Sequence, residues 1–239
     1  MENNVIILAG GQGKRMKTNM PKALCNVIGE PMLEWVLTAC ENAELDDICV
    51  VKGYEGQQIE DYLAQRKSKA KICTVMQEER LGTGHAVMQA ADFLKAHAEG
   101  NTLIDAETIK GALELHTEKD CGVTVVTSRV ENPTGYGRII RTENGISGIV
   151  EHKDCTPMQL AITEINSGCY WFKTADLLEV LFDIKPENAQ GEYYLTDCIE
   201  LLIAKGKKAD AFISANPHVA LGANDRRGLL ALNDIARYE

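Results

Sequence analysis

The N-terminal stretch constrains the fold more than any other part of the chain. Val5-Ile6-Ile7-Leu8-Ala9 is an unbroken apolar run, the pattern of a parallel strand covered on both faces rather than of a strand with one wet side. It stops at glycine, in Leu8-Ala9-Gly10-Gly11-Gln12-Gly13-Lys14-Arg15-Met16, followed by Pro21-Lys22-Ala23-Leu24. Glycines let the backbone pass close to an anion with its N–H groups exposed. Arg15 and Lys22 can add charge-assisted bonds to phosphate oxygens. The loop lacks the G-K-[ST] ending of a P-loop, and Gly10-Gly11-x-Gly13 does not have the G-x-G-x-x-G spacing of a dinucleotide fingerprint. The plainer alternative is a glycine turn with solvated cations.

Beyond the loop, apolar residues at Met32, Leu33, Val36, Leu37 and Cys40 fall at helical spacing. Residues 48–51 read as a second strand, 57–65 as a helix, 72–76 as a third strand and 85–95 as a third helix. Strand alternating with helix is the signature of an α/β layered domain. Downstream, 122–130, 137–141, 145–151 and 164–172 read as strands, and 177–181, 197–205 and 228–238 as helices. No linker or repeat divides the 239 residues. The expectation is therefore one compact domain over 1–239 whose second half adds a more mixed sheet, with enough chain to build a core without staples.

Charge and cysteine content exclude several classes. With 35 acidic against 25 basic residues the net charge is −10, and no Lys/Arg stripe is interleaved with aromatics, which argues against nucleic acid as a partner. No apolar run reaches membrane-spanning length, and no basic segment precedes the first strand. The eight cysteines are scattered without C-x-x-C spacing, so they read as buried thiols of a reducing cytoplasm rather than as a zinc site or a disulfide framework.

The loop signature, L-x-G-G-x-G-x-R-M with P-K-x-L, resembles that of the sugar-nucleotidyltransferase superfamily. Four further segments narrow the likeness. They are Gln77 with Leu81-Gly82-Thr83-Gly84-His85-Ala86, Asn132-Pro133-Thr134-Gly135-Tyr136-Gly137-Arg138-Ile139, Gly148-Ile149-Val150-Glu151-His152-Lys153-Asp154, and Glu164-Ile165-Asn166-Ser167-Gly168 with Gln190-Gly191-Glu192-Tyr193-Tyr194-Leu195-Thr196-Asp197. Together they resemble the uridylyltransferase half of the bacterial bifunctional GlmU enzymes. The resemblance implies a Rossmann-like three-layer α/β/α nucleotide-diphospho-sugar transferase fold with a mixed central sheet. It also implies Mg²⁺-dependent transfer of a uridylyl group from UTP to N-acetylglucosamine-1-phosphate, a step in making cell-envelope precursors.

The roles it implies are specific. Leu8, Ala9, Gly10 and Gly11 hold the nucleotide, Arg15 and Lys22 act on the phosphates as the catalytic cations, and Gln77, Gly82 and Thr83 meet the uracil. Gly137, Glu151 and Asn166 contact the sugar, Tyr194 walls its ring, and Asn224 is a metal ligand. Read without the resemblance, Glu151 is a surface charge, Asn166 a turn residue and His85 a structural residue at a helix start. The family's acetyltransferase half, a trimerising left-handed β-helix, has no counterpart in the sequence, so acetyl-coenzyme A chemistry is not expected.

The resemblance breaks at one place. The family's second metal ligand is an aspartate in a G-D-x-P-L-I motif that ends a central strand, and this sequence lacks it. Gly100 to Ile104 looks like the start of that strand, and Asp105-Ala106-Glu107-Thr108-Ile109 like the helix that should follow the motif. Thr102 to Ile104 would span ~10 Å where a seven-residue strand spans ~23 Å. Three readings stand side by side: the sequence omits residues the natural protein has, a natural deletion leaves a UDP-sugar-binding protein without turnover, or Asp105 supplies the carboxylate from a strand's end.

Overall fold

The computed structural model describes residues 3–13, 17–45, 47–97, 106–143, 145–216, 219 and 226–237. The first half alternates as expected. β1 (Asn4–Leu8) leads through the glycine loop and a 3₁₀ turn (Lys22–Leu24) to the small hairpin β2 (Asn26–Val27) and β3 (Glu30–Pro31). There follow α1 (Met32–Asn42), β4 (Asp47–Lys52), α2 (Gly56–Gln65), β5 (Lys71–Met76), α3 (Thr83–Gln89) and α4 (Ala91–Ala96). The second half runs α5 (Ala106–Glu118), β6 (Val123–Arg129), β7 (Arg138–Thr142), β8 (Gly145–Val150), α6 (Pro157–Leu160), β9 (Glu164–Phe172), α7 (Thr174–Val180), α8 (Asp197–Ala204), β10 (Ala209–Ile213) and α9 (Arg226–Ile235).

Side-chain alternation along the strands builds the layers. Val5 and Ile7 of β1, with Ile48 and Val50 of β4, pack against Leu33, Leu37 and Cys40 of α1, Ile59 of α2 and Ile109 and Ala112 of α5. The intervening Ile6, Cys49 and Val51 face the opposite side, with Ala86 and Ala90. On that side Val87, Leu94, Leu177, Val180, Cys198 and Leu202 bring in α3, α4, α7 and α8. Helices therefore cover both faces of the strands, and the α/β class and Rossmann-like layering stand.

The sheet differs in one respect from the single mixed sheet expected. Among the described residues it divides into a parallel three-stranded sheet, β1-β4-β5, and a mixed five-stranded one, β10-β6-β9-β7-β8. Both feed one core, for Val126, Ile165, Cys169 and Trp171 of the second join Val5, Ile7 and Val50 of the first. The Trp171 indole donates to the Ile109 carbonyl at 3.1 Å, tying β9 to α5. The strand expected from 100 to 104, together with Asp105, lies outside the described residues.

Other departures are local. The helix expected over 85–95 is offset at Ala90 (φ −91°, ψ 13°), where no proline or glycine marks a break. The strand β10 was not legible because Asp210 interrupts its apolar run; Lys119 and the Ala211 N–H satisfy that carboxylate. Cys73 is exposed and Cys155 half-buried, while the other six cysteines are buried and all eight are free thiols. Among the described residues no helix is long and apolar enough to cross a membrane.

Candidate active site

The glycine loop sits at the carboxyl end of β1, where an open α/β sheet places its ligands. Ala9 is buried and its N–H continues the pairing to the Val51 carbonyl at 2.8 Å, while Leu8 is partly exposed. The Gly10 carbonyl accepts from the Tyr54 N–H at 3.2 Å and the Gly11 carbonyl from the Lys22 N–H at 3.1 Å, so the backbone brings Lys22 to the loop. A Cβ on Gly53 would stand 2.8 Å from the Gly10 oxygen and 2.9 Å from its Cα; this approach of two backbones is what the glycine permits. Nothing lies within 4 Å of where a Cβ on Gly11 would stand. Arg15, with Lys14 and Met16, and Asn224 lie outside the described residues.

Gln77 follows β5 and is 5% exposed. Its Nε2 donates to the Gly82 carbonyl at 3.0 Å and lies 3.2 Å from Nδ1 of His85. A Cβ on Gly10 would stand 3.1 Å from its Oε1, so the amide oxygen faces the loop. Gly82 has φ +111° and packs so closely on Tyr193 that a Cβ there would lie 2.6 Å from the Tyr193 carbonyl oxygen. The hydroxyl of Thr83 accepts from the Leu195 N–H at 3.1 Å, leaving its backbone as the part free to meet a base.

The second cluster is built on β7, β8 and β9. A Cβ on Gly137 would lie 3.2 and 3.4 Å from the two oxygens of Glu151, and the Gly137 carbonyl accepts from the Asn166 N–H at 3.0 Å. Asn166 owes its position to a bulge. Val126 pairs with Cys169 but Thr127 with Asn166, and Gly168, at φ +87°, takes up the slack. The Asn166 Oδ1 accepts from the Gly168 N–H at 2.9 Å and its Nδ2 donates to the Tyr170 hydroxyl at 2.7 Å. Its turn role is thus real, and each end of the amide keeps one further hydrogen-bonding position.

Glu151 is no plain surface charge. Burial first, then Asp154 and Asp197, push its carboxyl above the usual range. Asp197 is pushed up to about 6 by burial and by Glu200 and Asp154. Tyr194 is 7% exposed, and its hydroxyl accepts from Gln190 at 2.8 Å. Burial raises its phenol as well.

The two clusters are joined. The Gly84 N–H bonds the Tyr193 carbonyl at 2.8 Å and the Tyr193 N–H bonds the Leu81 carbonyl at 2.7 Å. With the Thr83–Leu195 bond this laces the loop that starts α3 to the one that carries Tyr194. Sequence reasoning missed Asp154, Asp197 and Tyr170 in the second cluster, although the first two stand in the quoted motifs. It also missed Arg80, which bonds Gln12 of the glycine loop at 3.2 Å and lies over the Tyr54 ring.

Among the described residues no three Asp, Glu, His or Cys side chains converge to hold a metal ion. Asn224 and Asp105, the residues the sequence offers as metal ligands, lie outside the described residues. A separate cleft of about 610 Å³ is lined by Lys119, Arg141, Lys208 and Asp210. Its Lys119 and Arg141 are already paired with Asp210 and, for Arg141, with Glu164, and it contains none of the residues named above.

Known proteins resemble this chain in sequence and in fold. The family profile described as nucleotidyl transferase matches residues 4–217. The chain is 42% identical to the bifunctional protein GlmU of Clostridium novyi (strain NT), covering 99% of this chain and 53% of that protein. It is 40% identical to the bifunctional protein GlmU of Acetivibrio thermocellus, covering 97% and 51%. The chain thus spans about half the length of the curated relatives it matches. The first alignment runs over 245 positions against the 239 residues here, so the relative has positions with no counterpart in this chain. Among solved structures, a UDP-glucose pyrophosphorylase complexed with UDP-glucose superposes with a TM-score of 0.80 at 20% identity, over 100% of this chain and 99% of that one. A putative glucose-1-phosphate thymidylyltransferase from Bacillus anthracis gives 0.78 at 21%, over 98% and 95%. At that identity the likeness is one of fold.

Proposed function

The chain belongs to the nucleotidyl transferase family, and from that premise we propose that it transfers a uridylyl group from UTP to N-acetylglucosamine-1-phosphate, releasing pyrophosphate. The observation that carries this reading is the lacing of two half-sites, Leu81 to Gly84 against Tyr193 to Leu195. One half suits a nucleotide and the other a sugar, so the two reactants would meet in fixed relative orientation.

In this reading the sugar phosphate oxygen attacks the α-phosphorus in line and pyrophosphate leaves. The work is positioning and charge neutralisation rather than covalent catalysis. The N–H groups of Gly10 and Gly11 with Lys22 and Arg15 hold the triphosphate, and Gln77 with the Gly82-Thr83 backbone meets the uracil. Glu151 and Asn166 bond sugar hydroxyls and the acetamide, over the floor left by Gly137, with Tyr194 beside the ring. Magnesium enters through the resemblance, which assigns Asn224 as its ligand, and when bound it would supply charge neutralisation at the phosphates. The product would serve cell-envelope synthesis in the cytoplasm, a setting that suits eight free thiols.

The test is pyrophosphate release from UTP, N-acetylglucosamine-1-phosphate and Mg²⁺ by the purified chain. Release dependent on both substrates is expected, falling about 100-fold in Arg15→Ala, the usual effect of deleting a donor to developing charge. A folded protein that binds UDP-N-acetylglucosamine and releases no pyrophosphate would instead be a UDP-sugar binder, as the missing aspartate motif would explain.

A further inference from the structure

The assignment of Gln77 to the uracil leaves open what decides which end of its amide the base meets; the inference that follows rests on that assignment. A glutamine amide offers a donor and an acceptor of nearly equal size, and only its surroundings choose between them. Here two acceptors share the choice, a carbonyl and a ring nitrogen. The Gly82 oxygen can only accept, so the Gln77 atom 3.0 Å from it is the NH₂ nitrogen. The same nitrogen lies 3.2 Å from Nδ1 of His85. With one N–H given to Gly82, the other points to His85, and the ring nitrogen that receives it carries no hydrogen. Both donors of Gln77 are thereby turned inward, and its oxygen is left facing the glycine loop.

The opposite side of the imidazole does not override this choice. Gln89 donates to the His85 carbonyl at 3.1 Å and lies 3.3 Å from Nε2. Gln89 is only half-buried, so its amide can turn to water, whereas Gln77, 5% exposed, cannot. The His85 ring also lies against Tyr193, centroids 6.2 Å apart, which holds it in place beside the laced loops.

We propose that His85 is a positioning residue for base selection: by holding the Gln77 NH₂ inward it presents an oxygen acceptor to the pyrimidine N3 position. Uracil carries N3–H and is accepted. Cytosine has a lone pair at N3 and meets the Gln77 oxygen with no hydrogen between them. Without His85 only the Gly82 carbonyl still draws the NH₂ inward, so the amide is held less firmly and reverses toward cytosine at a smaller cost.

Binding of UDP and of CDP to the full chain, measured by titration calorimetry, tests this without requiring turnover. The chain should favour UDP by about tenfold or more, the consequence of one buried polar pair left unmatched. His85→Leu should cut the UDP preference about threefold or more, since only the Gly82 carbonyl then holds the amide. His85→Asn should restore the preference, because its Oδ1 stands near the place of Nδ1 and can only accept. Should His85→Leu not fold, His85→Gln serves, its oxygen falling near Nε2 instead; it should weaken the preference to the same extent. An undiminished UDP preference in the Leu or Gln variant overturns the role of His85 while leaving Gln77 as the base reader. Equal affinity of the unaltered chain for UDP and CDP overturns the Gln77 assignment and this inference with it.

Discussion

At the scale of single residues, the site is shaped as much by what is missing as by what is present. Gly53 lets β4's exit press against the glycine loop, and neither partner in that contact is a side chain that can swing away. Gly53→Ala should therefore lower UDP affinity at least about tenfold and destabilise by about 1–3 kcal/mol, the usual cost of overpacking, read by nucleotide titration and urea denaturation. Asp197 offers a second test. Its carboxyl titrates at about 6 in the folded chain against an ordinary 3.8, so between those pH values the folded chain holds a proton that the unfolded chain has released. Its contribution to stability falls as pH rises through that window. The thermal midpoint of Asp197→Asn relative to the unaltered chain should climb across the same window and level off above it. A flat difference would mean that Asp197 ionises normally.

At the scale of elements, the loop that opens α3 and the loop that precedes α8 behave as one unit, because backbone groups of each satisfy the other. Thr83→Val keeps the shape of the side chain but removes the acceptor of the Leu195 N–H. A buried donor left without a partner costs about 1–3 kcal/mol. The variant should be destabilised by that amount and raise the KM for N-acetylglucosamine-1-phosphate more than that for UTP, since it is the loop bearing Tyr194 that loosens. A larger rise for UTP would instead place the hydroxyl in nucleotide binding. Most of these elements were legible from periodicity: α1 matches its apolar spacing from end to end, and β9 its span. The offset at Ala90 and the bulge at Ser167-Gly168 were not, because each depends on what lies opposite rather than on a local breaker.

At the scale of the whole molecule, the described strands form two sheets but share a core. Trp171, fully buried in β9, packs in the same cluster as Val5 of β1 and Leu37 of α1. We expect a single cooperative unfolding transition, with tryptophan fluorescence and far-UV circular dichroism giving coincident curves in urea. Two transitions would mean that the sheets fold as separate units and that the chain is not one domain.

The sequence by itself determined the layered α/β class, the glycine loop and its place after the first strand, and, through its motifs, the family. These are local matters: an apolar run, a helical period and a short signature are each complete within a few residues. Only the tertiary structure decided that Gly137, Glu151 and Asn166 converge, that Asp197 acts on half-buried Glu151, and that Gln77 turns its oxygen to the loop. A carboxyl's proton affinity and an amide's orientation are set by neighbours brought from other strands. Glu151, which reads as a surface charge in isolation, acquires its character from burial first and then from Asp154 and Asp197.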